Sequence, residues 1–288
     1  MQADSPSRTA MGAAFLRALH LAVDEQPWVF EDRLVGAFLP GPQRRYLARL
    51  ARLPRRWVRA FRQRRSVLGR MRAQIVVRSR YAEDALGQAR RDGATRYLIL
   101  AAGLDTFAWR QADRADPVPV LEVDHPATQA WKRETLARQQ RPAPVGLTFR
   151  PIDFESQTLI DVLDPDPAPQ FVSWLGTSYY LSEAAIAATL SALAERSATG
   201  SRLVLDYWQE LPPGLDGALL WGTRVATALQ SEPMRSFFEP PALEALARRC
   251  GWRVRELLDA RAQNQRYLTG RSDGLAVPEF AHLALLER

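Results

Sequence analysis

The residues with the most to say about chemistry lie at the ends of short apolar runs. In LILAAGLDTFAWR, residues 98–110, such a run closes on small residues and a single glycine, Gly103, so a ligand could approach the backbone closely there. A pyrophosphate would ask for a fuller glycine-rich turn leading into a helix. No G-x-G-x-x-G is present, which argues against a nicotinamide or flavin dinucleotide. In LEVDHP, Glu122 and Asp124 close a second run, with Asp124 about 20 positions beyond Gly103. A carboxylate so placed can accept both hydroxyls of a ribose, and it can equally cap the helix that follows. Asp153 closes a third run in PIDF, where an adenine amino group can be met, and Phe154 beside it offers a ring face.

These acids need a parallel sheet to bring them to one edge, and the second two-thirds of the chain has the pattern for it. RYLILAAG, PVPVLEVD, GLTFRPID, QFVSWLG and SRLVLDYW read as buried strands, and AHLALLE as a terminal one. TQAWKRETLARQQ, SQTLIDVL and SEAAIAATLSALAERS read as the helices between them, and PALEALARRCGWRVRELL as a helical stretch before the last strand. The order suits a doubly wound seven-stranded α/β sheet of Rossmann-like type. Its ligands would bind at the carboxyl edge. Residues 1–92 look helical throughout, with Ser7 or Thr9 capping a helix through His20, DRLVGAFL forming another turn or two, and Pro40, Pro42 and Pro54 punctuating basic helices. We expect a helical lid over residues 1–92, a core over residues 93–288, and a helical insert at about 211–239 within it.

Composition narrows the class. At 288 residues, 47% hydrophobic and 25% charged, the chain is long enough to bury a sizeable core, and no run approaches a membrane span or a signal peptide. A soluble, cytoplasmic protein with no membrane partner is expected. One cysteine, Cys250, leaves no internal disulfide or cysteine-rich metal centre. The three histidines, His20, His125 and His282, are too scattered for a metal site. The net charge of +7 raises the question of nucleic acid. Only Lys132 among the 39 basic residues is a lysine, however, and the arginines of residues 44–80 alternate with apolar residues at helical spacing. That pattern favours solvated helix faces over a phosphate-binding surface.

Taken together, SRTAMGAAFLRALH, VVRSRYAEDAL, LILAAGLDTFAWR, LEVDHPATQAWK, PIDF and FVSWLGTSYYLSEAAI resemble the bacterial relatives of the leucine carboxyl methyltransferases, which include polyketide carboxyl O-methyltransferases. The resemblance covers nearly the whole chain and implies a class I methyltransferase fold with S-adenosyl-L-methionine as cofactor. It implies that Arg78 holds the methionine carboxylate, Gly103 lines the cofactor's path, Asp124 binds the ribose, and Asp153 with Phe154 brackets the adenine. A planar fork of donors does suit a carboxylate, although Arg80 nearby offers the same chemistry. The sequence departs from the family pattern at Leu175, where leucine carboxyl methyltransferases carry a glutamate. This puts a cofactor contact through that acid in doubt and points toward a small-molecule branch.

The resemblance thus implies methylation of a small molecule, with a carboxylate or phenol of a secondary metabolite as acceptor oxygen. Methyl transfer from a sulfonium is an in-line displacement that requires alignment and exclusion of water. A carboxylate acceptor is already ionised at neutral pH, whereas a phenol would gain from a base. His20, Tyr179, Tyr180 and Tyr207 are the candidates to face the acceptor, and each could instead be a packed core residue. The rival functions are a nucleic-acid methyltransferase or binding protein using the arginine-rich region, and a relative that keeps the cofactor fold without transferring methyl.

Overall fold

The computed structural model describes residues 7–54, 57–58, 66–153, 157–211, 214–229 and 232–288. Helix ends follow local chemistry. The Ser7 hydroxyl accepts from Ala10 N at 3.3 Å and opens α1 (Arg8–Val23). Helix α2 (Gly41–Arg52) stops at Leu53, which is held extended because Pro54 follows it. Ser66 accepts from Gly69 N at 2.9 Å and opens α3 (Val67–Arg91), which ends at Gly93 with φ of +102°. The expected turn in DRLVGAFL is a short 3-10 helix, Val35–Phe38.

Strands and helices then alternate: β1 (Arg96–Leu100), α4 (Phe107–Arg110), β2 (Val120–Asp124), α5 (Pro126–Ala137), β3 (Leu147–Pro151), α6 (Leu159–Val162), β4 (Gln170–Trp174), α7 (Glu183–Arg196) and β5 (Arg202–Trp208). Helices α8 (Leu215–Leu229) and α9 (Pro240–Arg249), strand β6 (Arg253–Leu258), helix α10 (Ala260–Tyr267) and strand β7 (Ala281–Glu287) complete the chain. The seven strands form one sheet in the order β3-β2-β1-β4-β5-β7-β6. Strands β1 to β5 run parallel, and β7 inserts antiparallel between β5 and β6. Strand β6 was hidden in the sequence because its arginines and glutamate alternate with apolar residues at a sheet edge, which reads much like the helix before it.

Every residue of β4 and β5 is buried, since helices cover both faces. One face carries Leu98, Leu100, Val172, Trp174, Leu205 and Tyr207 against α7 and α9. The other carries Tyr97, Ile99, Phe171 and Val204 against Tyr81, Ala82, Ala85, Leu86 and Ala89 of α3. The second half of α3 is therefore a layer of the sheet domain. Helices α1 and α2 form a separate cluster through Ala14, Leu19, Leu47 and Leu50, which rests on Leu104 after β1 and Leu136 of α5. That seat places α1 above the carboxyl edge of the strands.

Candidate functional site

The chain leaves β1 through two left-handed residues, Ala101 at φ +53° and Gly103 at φ +52°. The conformation is uncommon for an alanine and turns the backbone sharply back across the sheet edge. The amide of Gly103 donates to one oxygen of Asp124, and the amide of His125 donates to the other at 2.6 Å. Burial raises the Asp124 pKa above the ordinary carboxylate value, while these two amides oppose the rise. Both oxygens retain lone pairs, because an ionised carboxylate has about four acceptor positions. Asp124 is thus a fixed, half-buried acceptor beside a glycine turn, as a ribose diol requires. His125 serves locally: its Nδ1 accepts from Ala127 N at 3.2 Å and caps α5.

Asp153 stands on the same edge, because Ile152 N donates to the Asp124 carbonyl at 2.9 Å and draws the end of β3 to the end of β2. Phe154, expected beside it, lies outside the described residues. Glu122, two positions before Asp124, is fully buried and accepts from Lys132 Nζ at 2.6 Å, so it braces β2 against α5.

Arg78 enters from α3. Its Nη1 donates to Asp206 Oδ2 at 2.7 Å and to the Tyr179 hydroxyl at 3.1 Å, and its side chain is only 11% exposed. Burial alone would lower its pKa, but Asp206 and Tyr179 outweigh that and hold it above the ordinary arginine value. Arg80, its rival in the sequence, is exposed and pairs with Asp84 at 2.8 Å on the same helix. The structure therefore separates the two arginines. After β4 the chain turns at Gly176, φ +77°, whose amide donates to Asp206 Oδ1 at 2.6 Å. Leu175 beside it packs on the cluster that contains Tyr97, Ile99 and Ala102.

The roof is α1. A Cβ built on Gly103 would lie 3.5 Å from Ala10 Cβ, so α1 sits in van der Waals contact with the glycine turn. Arg17 fastens it there, with Nη2 donating to the Leu104 carbonyl at 2.6 Å and Nη1 to Asp32 at 3.0 Å. At its start, the Ser7 hydroxyl donates to Glu232 at 3.2 Å and the Thr9 hydroxyl to the other oxygen of that carboxylate.

The four acceptor-side candidates do not converge. Tyr179 is buried beside Arg78, and half-buried Tyr180 meets its ring edge-on at 4.9 Å. Burial raises both phenols, that of Tyr180 to about 12. Tyr207 points to the opposite layer of the sheet, where its ring lies 5.1 Å from that of His282. His20 is fully buried, with Nδ1 bonded to Asp24 at 2.8 Å and Nε2 accepting from Val29 N at 3.1 Å, while Arg72 grips the same Asp24 through two bonds. Asp206, Gly176, Arg17 and Glu232 were not singled out by sequence reasoning. Asp206 alone left a signal there, an acid near the end of an otherwise apolar strand.

Elsewhere, a groove at the amino ends of β1 to β3, lined by Arg96, Gly146, Thr148 and Asp164, lies at the far end of the strands from this site. In the arginine-rich region Arg70, Arg78 and Arg80 make ion pairs with Asp216, Asp206 and Asp84, and Arg72 pairs with Asp24. Arg44, Arg45, Arg49 and Arg52 occupy the exposed face of α2, as expected for an amphipathic helix. Among the described residues no helix is long and apolar enough to cross a membrane, and no cluster of histidine, cysteine and acidic residues could hold a metal.

A buried arginine fork, a carboxylate at a glycine turn and a second acid on the next strand can together hold a charged adenosyl amino acid by its carboxylate, ribose and base. Comparison with known proteins points to the same cofactor. A candidate S-adenosyl-L-methionine-dependent methyltransferase of Bacillus subtilis (strain 168) is 33% identical over 213 residues, 72% of this chain and 70% of that one. One from Mycolicibacterium smegmatis is 30% identical over 201 residues, 65% of this chain and 64% of that one. The crystal structure of a DUF574 family protein from Streptomyces avermitilis superposes with a TM-score of 0.54 at 13% identity, over 98% of this chain and 100% of that one, and shows the fold alone. The seven-stranded α/β sheet is the class I methyltransferase fold expected from the sequence, in keeping with these methyltransferase relatives. Residues 10–194 match the model of the leucine carboxyl methyltransferases, and the chain belongs to that family.

Proposed function

We propose that this protein is an S-adenosyl-L-methionine-dependent O-methyltransferase whose acceptor is the carboxylate of a small organic molecule. The family and the relatives make S-adenosyl-L-methionine the cofactor, which supplies an electrophilic methyl on a sulfonium. Arg78 receives its carboxylate, Gly103 lines its path, Asp124 takes the ribose hydroxyls, and Asp153 with Phe154 takes the adenine.

The observation that favours a carboxylate over a phenol is the state of the candidate bases. Tyr179 and Tyr180 are held protonated by burial, His20 has both ring nitrogens engaged in the core, and Tyr207 faces the other layer. A carboxylate needs no proton removed at neutral pH, so none of these four groups has to act as a base for it. The work left to the protein is alignment and exclusion of water. Helix α1, clamped by Arg17 and by Glu232, provides the cover.

Isothermal titration with S-adenosylhomocysteine tests the cofactor site. Asp124→Asn leaves a neutral acceptor for the ribose, and hydrogen bonds to a charged group contribute about 1.5–3 kcal/mol, so affinity should fall about tenfold to a hundredfold. Assay of methyl ester and aryl ether formation on a panel of carboxylic acids and phenols tests the acceptor. Turnover of phenols with carboxylic acids inert would sink the carboxylate reading. Cofactor binding without turnover of any acceptor would point to a relative that has lost transfer.

A further inference from the structure

We infer that Asp206 is a positioning residue for the cofactor's amino-acid end, a single buried carboxylate that fixes both the guanidinium of Arg78 and the turn at Gly176 beneath it. The inference rests on the reading that Arg78 receives the cofactor carboxylate. Asp206 is 1% exposed and comes from β5, three strands away from the ribose acid on β2. Leu205 and Tyr207 on either side of it point into the layer of α7 and α9. The alternation of the strand therefore turns Asp206 toward α3, where Arg78 and Gln74 are.

Its two oxygens are divided. Oδ1 accepts from Gly176 N at 2.6 Å, and Oδ2 accepts from Arg78 Nη1 at 2.7 Å and from Gln74 Nε2 at 3.3 Å. Nη1 also donates to Tyr179, whereas Nε and Nη2 of Arg78 have no hydrogen-bond partner among the described residues. Nη2 hangs over Gly176, where a Cβ would approach it to 2.8 Å. The guanidinium is thus gripped by one nitrogen, packed against a glycine, and left with donors to offer a carboxylate. Asp206 compensates a cation that is nearly buried and keeps its plane fixed. Without that carboxylate the arginine would have to be desolvated and oriented by the ligand itself, which weakens binding.

The test compares two ligands on the full chain. S-adenosylhomocysteine carries the amino-acid end, and 5′-methylthioadenosine is the same nucleoside thioether without it. Asp206→Asn preserves shape and an acceptor for Gly176 N but removes the charge. It is expected to weaken S-adenosylhomocysteine by about tenfold or more, the effect of one charge-assisted contact. Binding of 5′-methylthioadenosine should stay within about twofold of wild type by the same reasoning, since it does not reach Arg78. Equal weakening of both ligands would show a general structural role and overturn the inference, as would unchanged binding of both. If Asp206→Asn does not fold, Asp206→Glu keeps the charge but displaces it, and should show the same ligand-selective loss. Arg78→Met separates the underlying reading: loss confined to S-adenosylhomocysteine supports it, and wild-type protein that binds neither ligand refutes the cofactor site itself.

Discussion

Gly176→Ala should unseat Arg78 as well as strain the backbone, and the two costs can be measured apart. Gly176 lies at φ +77°, where a residue with a Cβ loses about 1–2 kcal/mol. The added methyl would also stand 2.8 Å from Arg78 Nη2 and 3.3 Å from Cζ and Nη1, so the guanidinium must leave its place. Because that group is tied to Asp206, displacing it forfeits a charge-assisted hydrogen bond of about 1.5–3 kcal/mol. The total is about 2.5–5 kcal/mol by the same two principles. Gly270 supplies the control, since it has the same φ of +77° and no atom within 4 Å of a built Cβ. Gly270→Ala should therefore lose only the backbone part. Urea unfolding followed by tryptophan fluorescence reads both variants. Repeating Gly176→Ala in an Arg78→Ala background, where nothing remains to clash, should shrink its cost toward that of Gly270→Ala. Equal losses for Gly176→Ala and Gly270→Ala in the wild-type background would refute the reasoning, because they would mean that Arg78 yields without cost.

Two further predictions concern the supports of the site. Arg17 is nearly buried, pairs with Asp32 at 3.0 Å and holds the Leu104 carbonyl, so Arg17→Leu leaves the buried Asp32 only Arg110 at 3.9 Å and the Val35 amide, and should destabilise the fold by about 2–3 kcal/mol; a loss below about 1 kcal/mol in urea unfolding would show that the clamp is unimportant. Burial raises Glu122 to about 7 although Lys132 pulls the other way, so the folded chain keeps a proton there that the unfolded chain releases near pH 4.5. This group's stabilisation is complete below that lower pH and is lost as the pH rises through 7, by at most about 3 kcal/mol. The stability difference between wild type and Glu122→Gln should therefore shift against wild type from pH 5 to 8, and a flat difference across those pH values would contradict the assignment.

Much of the frame was legible in the sequence because burial on both faces imposes unbroken apolar runs, and each of β1, β2, β4 and β5 was one. The edge strands were less legible. Strand β3 still showed its apolar start, but β6 alternates charged with apolar residues and reads like the helix before it. The acids that end buried strands stood out for the same reason: an ionisable group at the end of an apolar run is costly unless it is used or paired. That logic picked out Asp124 and Asp153, which lie on one edge of the sheet. It also picked out Glu122, whose partner Lys132 lies ten positions along the chain and could not be recognised from spacing.

The sequence by itself determined the strand and helix order apart from β6, the carboxyl edge at which Gly103, Asp124 and Asp153 meet, and the family to which those segments belong, since all of these follow from local periodicity and short motifs. Only the tertiary structure decided which arginine is buried at the sheet, because Arg78 and Arg80 share a chemistry and differ in which face of α3 meets the sheet. It also turned His20 into a core residue and sent Tyr207 to the far layer, and it joined Asp206 to Arg78 and Glu232 to Ser7 across long stretches of chain. The physical reason is common to all of these. Whether a polar side chain meets solvent, a ligand or a buried partner is fixed by packing between elements distant in sequence, and no local pattern encodes that contact.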